Sequence, residues 1–192
     1  MGLLTHDDFV VLNGLYLRKI AESGMLADCS GIDPQTVEAT LGRLEGDAMV
    51  LPLGEQYVVT DEGRQAVLDF YADTYADLRA DGEVMAWYER FEAVNGKFLQ
   101  LVSAYQVGGD DKTLDKLIKV VEKHVAALEE AAKWLPRYGH YAGRFARALT
   151  KVEGGQMQYL TSPTVDSIHN AWFEFHEDIL AVIGRPRETV DG

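Results

Sequence analysis

The 192-residue chain has little cysteine and little positive charge. Its single cysteine, Cys29, excludes an internal disulfide framework and a zinc site built from clustered cysteines. Lys and Arg number 18 against 31 Asp and Glu, which gives a formal net charge of −13. Because affinity for phosphates comes from Lys and Arg, this balance argues against nonspecific binding to nucleic acid or to an anionic membrane.

Long apolar runs are missing as well. No window approaches the roughly 18 apolar residues that cross a membrane, so we expect no membrane partner. The first eight residues lack a basic patch followed by an apolar run, which predicts no secretory signal and a cytoplasmic location. Apolar residues make up 47% of the chain and charged residues 26%, a composition typical of a globular protein with a substantial core.

Hydrophobic periodicity predicts a mainly α fold with one small β-hairpin. In the first 80 residues we expect helices at Thr5 to Glu22, at Met25 to Cys29, at Asp33-Pro34 to Gly46-Asp47 and at Thr60 to about Arg79, with a hairpin formed by residues 49–51 and 57–59. Thr5, Asp33 and Thr60 are the predicted N-caps, because their side-chain oxygens can accept from the first backbone N–H groups of a helix.

The second half is predicted to be wholly helical. We expect helices at Glu83 to Gln106, Lys112 to Trp134, Tyr141 to Glu153 and Thr164 to Ile183, followed by a frayed polar tail after Gly184. Asp81-Gly82 is the expected boundary, which divides the chain into domains at residues 1–80 and 81–192.

The order of elements in the first domain is that of a winged helix-turn-helix. Residues 25–28, 33–37 and 41–50 resemble the turn and recognition helix of MarR-type regulators. Residues 56–64, where a strand passes into Thr60-x-x-Gly63-Arg64, resemble the end of their wing. The resemblance spans about residues 5–80 and implies a homodimer that binds DNA. On the recognition helix, the side chains that could contact DNA are Gln35, Thr36, Thr40 and Arg43.

The charge of this segment opposes that expectation. Residues 1–80 contain five basic and 14 acidic side chains, hence a formal charge of −9. The hairpin turn at Leu53-Gly54-Glu55 has no Lys or Arg, although groove-reading proteins draw many contacts from such residues. Two uses of the winged helix therefore remain open: reading DNA, or dimerisation and docking.

The second half carries its own pattern: Tyr88-x-x-Phe91-x-x-x-Asn95, Tyr105-Gln106, residues 137–149 and above all residues 166–180. These residues are similar to a helical domain that follows a winged helix in actinobacterial MarR-like regulator proteins. A related segment lies at the C-terminal end of some pyruvate-phosphate-dikinase-like enzymes. The resemblance implies a helical domain for ligand binding or dimerisation.

One stripe of the last predicted helix mixes acid, imidazole and aromatic groups: Asp166, His169, Phe173, His176 and Leu180. Three interpretations remain open, namely a hydrogen-bonded core helix, a small-molecule pocket and a metal site. A pocket would use Asn95, Tyr105, Gln106, Tyr141, Arg144, His169, Trp172, Phe173 and His176, with Trp87 as a further wall. Arg144 would belong either to a solvated basic face or to an anchor for a carboxylate or phosphate.

The spacing of the histidines argues against the interpretation as a metal site. His169 and His176 lie roughly 10 Å apart along a helix axis, too far for one ion, even though His124 and His140 could join from other helices. We therefore predict neither a metal nor another cofactor.

Two functions follow as hypotheses. The first is a ligand-responsive MarR-like transcriptional regulator that binds DNA and a small anionic or aromatic molecule. The alternative is a winged-helix protein that does not bind DNA, whose helical domain is an enzyme or an accessory module of a phosphoenolpyruvate-using enzyme. In the enzymatic version the catalytic residues would be His169, His176, Asp166 and Glu177, because histidine titrates near neutrality.

Overall fold

The computed structural model describes residues 4–80 and 82–185. Within these ranges the chain is mainly α with one small antiparallel sheet, which confirms the mainly α part of the predicted fold. The described residues form two compact units, one of residues 4–80 with 176–185 and one of residues 82–175. Asp81 at the expected boundary, residues 1–3 and the predicted frayed tail at 186–192 lie outside the described residues.

The first unit combines helices with a three-stranded sheet. Its elements are α1 (His6–Arg18), β1 (Ile20–Glu22), α2 (Ser23–Ser30), α3 (Pro34–Gly46), β2 (Val50–Leu53), β3 (Gln56–Val59), α4 (Asp61–Thr74) and α5 (Ala76–Ala80). The strand order is β1-β3-β2, and both pairings are antiparallel. Ala21 and Val50 are buried on one face of the sheet, whereas Ile20 and Leu51 pair with Val58 on the other face and are exposed.

Local capping sets the starts of three of these helices, as predicted. The Thr5 side chain accepts from the N–H of Asp8, and the Asp8 carboxylate accepts from the N–H of Thr5 in return. Asp33 accepts from Thr36 ahead of Pro34, and Thr60 accepts from Gly63.

Two predicted helices of the first unit were wrong in extent. The first ends at Arg18, because Lys19 has a φ of 74° and residues 20–22 pair with β3 as a strand. The helix predicted from Thr60 to Arg79 is interrupted at Tyr75, whose ring packs on Phe70 and Tyr71 while its backbone leaves the helical region. Hydrophobic spacing continues through both breaks, so it gave no sign of either.

The second unit consists of helices: α6 (Gly82–Gly108), α7 (Asp111–Ala131), α8 (Tyr138–Glu153), α9 (Gln158–Thr161) and the first part of α10 (Ile168–Ile183). All four predicted helices are present, and α9 was not predicted. The last helix starts four residues later than expected. Asn170 donates to the carbonyls of Ser162 and Val165, and these bonds hold the preceding segment in a turn.

The end of α10, from His176 onward, belongs to the first unit. Buried polar contacts attach it there: Tyr71 donates to Asn13 (3.0 Å), and Asn13 donates to the fully buried carboxylate of Asp178 (3.3 Å). Arg79 donates to the carbonyls of Ala181 and Val182 at the end of the helix. No helix in the described ranges is long and apolar enough to cross a membrane.

Candidate functional site

Aromatic rings fill the core of the second unit. They come from α6 (Trp87, Phe91, Phe98), α8 (Tyr138, Tyr141, Phe145) and α10 (Trp172, Phe175), and all are buried. Phe98 and Trp172 stack with centroids 3.8 Å apart, and Trp87 meets Phe175 edge to face at 5.8 Å. Three rings predicted to line a ligand pocket, those of Trp87, Tyr141 and Trp172, therefore lie in a packed core.

His124 of α7 lies among these rings. Its ring centroid is 4.4 Å from that of Trp172, 5.0 Å from Phe175 and 5.1 Å from Phe145. The imidazole is buried, and its Nε2 has no hydrogen-bond partner within residues 4–80 and 82–185. Burial lowers the pKa of His124 to about 3, so the ring is neutral at pH 7. His124 was expected only as a further residue that could join a metal site from another helix, although its place on the apolar stripe of α7 signals a core position.

Asn95 and Trp172, both expected to contact a ligand, bond to each other. The indole Nε1 of Trp172 donates to Oδ1 of Asn95 at 2.9 Å, and both side chains are buried. This bond joins α6 to α10 and satisfies the indole nitrogen, which would otherwise be costly to bury.

Arg144 is buried and held by two carboxylates. Its Nη2 lies 2.7 Å from Oδ1 of Asp166 and 2.7 Å from Oε2 of Glu174, and its Nε also donates to Asp166. The guanidinium faces the ring of Tyr141, with Cζ 5.2 Å from the centroid. Arg144 is only 3% exposed, so the interpretation as a solvated basic face was wrong. A ligand anchored here would have to share the guanidinium with these carboxylates.

The remaining predicted ligand residues lie nearer the surface. Tyr105 is half-buried and its hydroxyl donates to Sδ of Met157 at 3.6 Å, while Gln106 is exposed. Phe173 is 40% exposed. The structure thus brings Asn95, Tyr141, Arg144 and Trp172 into the core and leaves Gln106 and Phe173 at the surface.

The predicted catalytic residues do not form an acid–base pair around His169. That imidazole is half-buried, which lowers its pKa, but within the described chain no hydrogen bond joins it to Asp166. The Asp166 carboxylate is bound by Arg144 instead. His176 and Glu177 are half-buried and belong to the first unit. Across residues 4–80 and 82–185, no group of three or more His, Cys, Asp or Glu is placed to hold a metal ion.

The predicted DNA-contacting residues of α3 differ in accessibility. Gln35 is exposed and Thr36 half-buried. Thr40 is fully buried and accepts from Arg43 at 2.9 Å, so its side chain cannot reach a base edge and its assignment as a DNA contact was wrong. Arg43 is exposed and pairs with Asp8 at 2.8 Å.

The hairpin beside these residues in the sequence is apolar and acidic at its tip. Leu51 is 55% exposed and Leu53 60% exposed, and Glu55 follows the turn at Gly54. This surface offers no cation to a phosphate backbone.

In comparisons with protein-family models, curated proteins and solved structures, the chain matches none of them.

Proposed function

We propose that this chain is a ligand-responsive transcriptional regulator whose first unit is a winged helix-turn-helix of the MarR type. The observation that carries the proposal is the strand pairing of the first unit. A short strand between α1 and α2 pairs with the hairpin that follows α3, in the order β1-β3-β2. In a winged helix this arrangement places the third helix as the reading helix and the hairpin as the wing.

DNA contacts in this proposal come from Gln35, Thr36 and Arg43 in each subunit of a homodimer. Gln can pair with adenine and Arg with guanine in the major groove. On binding DNA, Arg43 would give up its ion pair with Asp8 and would contact a base or a phosphate instead. With one arginine on the reading helix, we expect specific binding to be weak and its dependence on salt shallow.

The ligand of this regulator is proposed to bind in the helical second unit. Among the described residues, Nε2 of His124 is buried without a hydrogen-bond partner and is surrounded by aromatic rings. A small aromatic compound that carries one polar group for this nitrogen suits both features, and it would have to displace part of the packed ring cluster to enter. Such a ligand would change DNA affinity only if it binds one conformation of the dimer more tightly than the other.

A random-pool DNA selection with the purified full-length protein, repeated over a salt series, tests the regulator. We expect an enriched, roughly palindromic motif. Arg43→Ala should weaken binding to that motif by about 10- to 100-fold for each subunit, which corresponds to one lost base contact in each half-site. Arg90→Ala, which removes an exposed arginine of the second unit, is the matched control and should leave binding unchanged.

A second candidate is a winged-helix protein that does not bind DNA and docks on another protein, with the helical unit as an enzyme or an accessory module of a phosphoenolpyruvate-using enzyme. The specific observation in its favour is the exposed apolar pair Leu51 and Leu53 on a hairpin that lacks cations. Absence of any enriched DNA at the lowest salt would favour this candidate over the regulator.

A further inference from the structure

Two cations of the first unit converge on one aromatic ring. Nζ of Lys19 lies 4.7 Å from the centroid of the Tyr16 ring, and Cζ of Arg64 lies 5.7 Å from the same centroid. Lys19 follows α1 and Arg64 is in the first turn of α4. Both cations are exposed, and they are two of only five basic residues among residues 1–80.

Within the part of the chain that the structure describes, neither Lys19 nor Arg64 forms an ion pair with an acidic side chain. Partial burial and then the charge of Arg64 lower the pKa of Lys19, and the attraction of Glu177 does not offset them. Two like charges are thus held together in an acidic protein, at an electrostatic cost that a bound anion would relieve.

The backbone holds Lys19 in a conformation that lysine rarely adopts. Its φ is 74° and its ψ −40°, a region that costs a residue with a β-carbon about 1–3 kcal/mol. In this conformation Nζ donates to the carbonyl oxygen of Tyr16 at 3.0 Å, which fixes the ammonium beside the ring. This bond ties the ammonium of Lys19 to the last turn of α1, next to the Tyr16 ring.

We propose that Lys19 and Arg64, arranged on Tyr16, form a binding site for one phosphate group. The planar guanidinium can donate two parallel hydrogen bonds to phosphate oxygens, while the ammonium supplies a point charge to a third. Under the proposed function the phosphate belongs to the DNA backbone, and that source rests on the proposed function. The same chemistry would take a free phosphate or a phosphorylated small molecule.

Inorganic phosphate tests the site without DNA. We expect phosphate to raise the Tm of the full chain above that in sodium chloride of equal ionic strength. The double variant Lys19→Gln/Arg64→Gln should lose this shift. Arg90→Gln/Lys116→Gln removes two exposed cations of the second unit that also lack an ion pair in the described chain, and it should keep the shift.

The variant Lys19→Gly distinguishes loss of the phosphate site from loss of folding stability. Glycine removes the charge and tolerates the positive φ, so the variant should fold at least as stably as the wild type while its response to phosphate falls. A Lys19→Gly protein that keeps the full phosphate shift would overturn the role of Lys19.

DNA distinguishes the two sources of phosphate. If the backbone supplies it, the double variant should bind duplex DNA more weakly, and the slope of log K against log salt should become shallower by about 0.9 for each subunit, hence about 1.8 for the homodimer. If the double variant loses the Tm shift in phosphate but binds DNA as the wild type does, the site is confirmed and its ligand is a free phosphate compound. No phosphate shift in the wild type, or the same shift in the double variant, would overturn the site. A phosphate shift in a protein that selects no DNA would instead contradict the regulator alone.

Discussion

Among the residues of the aromatic core, His124 has the clearest consequence for the stability of the folded chain, because its imidazole is buried. Its pKa of about 3 lies well below the ordinary value of 6.5, because burial penalises the charged ring. As the pH falls below 6.5, the unfolded chain takes up a proton that the folded chain refuses until about pH 3. Stability that is fully present above pH 6.5 is therefore lost between pH 6.5 and 3, by at most about 1.4 kcal/mol per pH unit.

Replacing His124 by leucine should remove this dependence. His124→Leu has similar volume and leaves no unpartnered Nε2, so we expect equal or greater stability at pH 7 and a clear gain at pH 5. Urea unfolding between pH 4.5 and 8 measures both effects. The exposed His140→Gln is the control and should reproduce the wild-type curve. A His124→Leu curve as steep as that of the wild type would show that other groups, His169 among them, cause the pH dependence.

Arg144 should be costly to remove because its two carboxylates would then lose the charge of this guanidinium. For Arg144→Met we expect a loss of about 3–5 kcal/mol in the free energy of unfolding. Adding Glu174→Gln should restore part of it, since one buried charge disappears. Urea unfolding of both variants, with the exposed Arg147→Met on the same helix as control, tests this. A loss below about 1 kcal/mol would show that water or other groups solvate the carboxylates.

For the secondary-structure elements, the contacts at the junction of β3 and α4 explain why the sequence there has the pattern Thr-x-x-Gly. The Thr60 side chain caps α4 and donates to the carbonyl oxygen of Ala48. The backbone N–H of Thr60 donates to the carbonyl oxygen of Met49. A β-carbon at Gly63 would clash with the same Met49 carbonyl. The Thr-x-x-Gly spacing thus follows from a cap and a close backbone approach.

Alanine should therefore act oppositely at two helical glycines of the first unit. Gly63→Ala should destabilise by about 2–3 kcal/mol, because backbone atoms must shift. Gly42→Ala, where a β-carbon meets open space on α3, should stabilise by about 1 kcal/mol. Thermal unfolding of the two variants measures the difference. Equal effects at both positions would show that helix propensity alone governs them.

Local signals predicted the helix starts and the hairpin but not the strand at residues 20–22. A cap depends on atoms within three residues, so Thr5, Asp33 and Thr60 could be read directly. The strand β1 exists because Ile20 and Glu22 pair with Val58 and Gln56, more than thirty residues away in the chain. Spacing along one segment carries no information about that partner.

At the scale of the whole molecule, α10 supplies residues to both units. Residues up to Phe175 belong to the second unit, and those from His176 belong to the first. In the second unit the helix contributes Trp172, which donates to Asn95. In the first unit it contributes Asp178, which accepts from Asn13. The predicted assignment of all residues after 81 to one domain did not anticipate this division.

Arg79 should be the main anchor for the end of α10 in the first unit. It donates to the carbonyls of Ala181 and Val182, at 3.0 and 2.8 Å, and to that of Tyr71. We expect Arg79→Met to cost about 2 kcal/mol, because partly buried carbonyls lose a charged donor. Faster amide hydrogen exchange at residues 180–184 should accompany the loss, and Arg147→Met should show neither effect. Unchanged exchange would mean that apolar packing alone holds the helix end.

Composition and local pattern were enough to establish a mainly α chain, its one hairpin and the residue types of the candidate sites. These properties depend on periodicity and on contacts within a few residues. Tertiary contacts alone decided that Arg144 faces Asp166 and Glu174, that His124 lies among aromatic rings, and that Thr40 is buried. The periodicity of a helix indicates which side chains share a face, but the energy of each buried polar group depends on which distant residues cover that face.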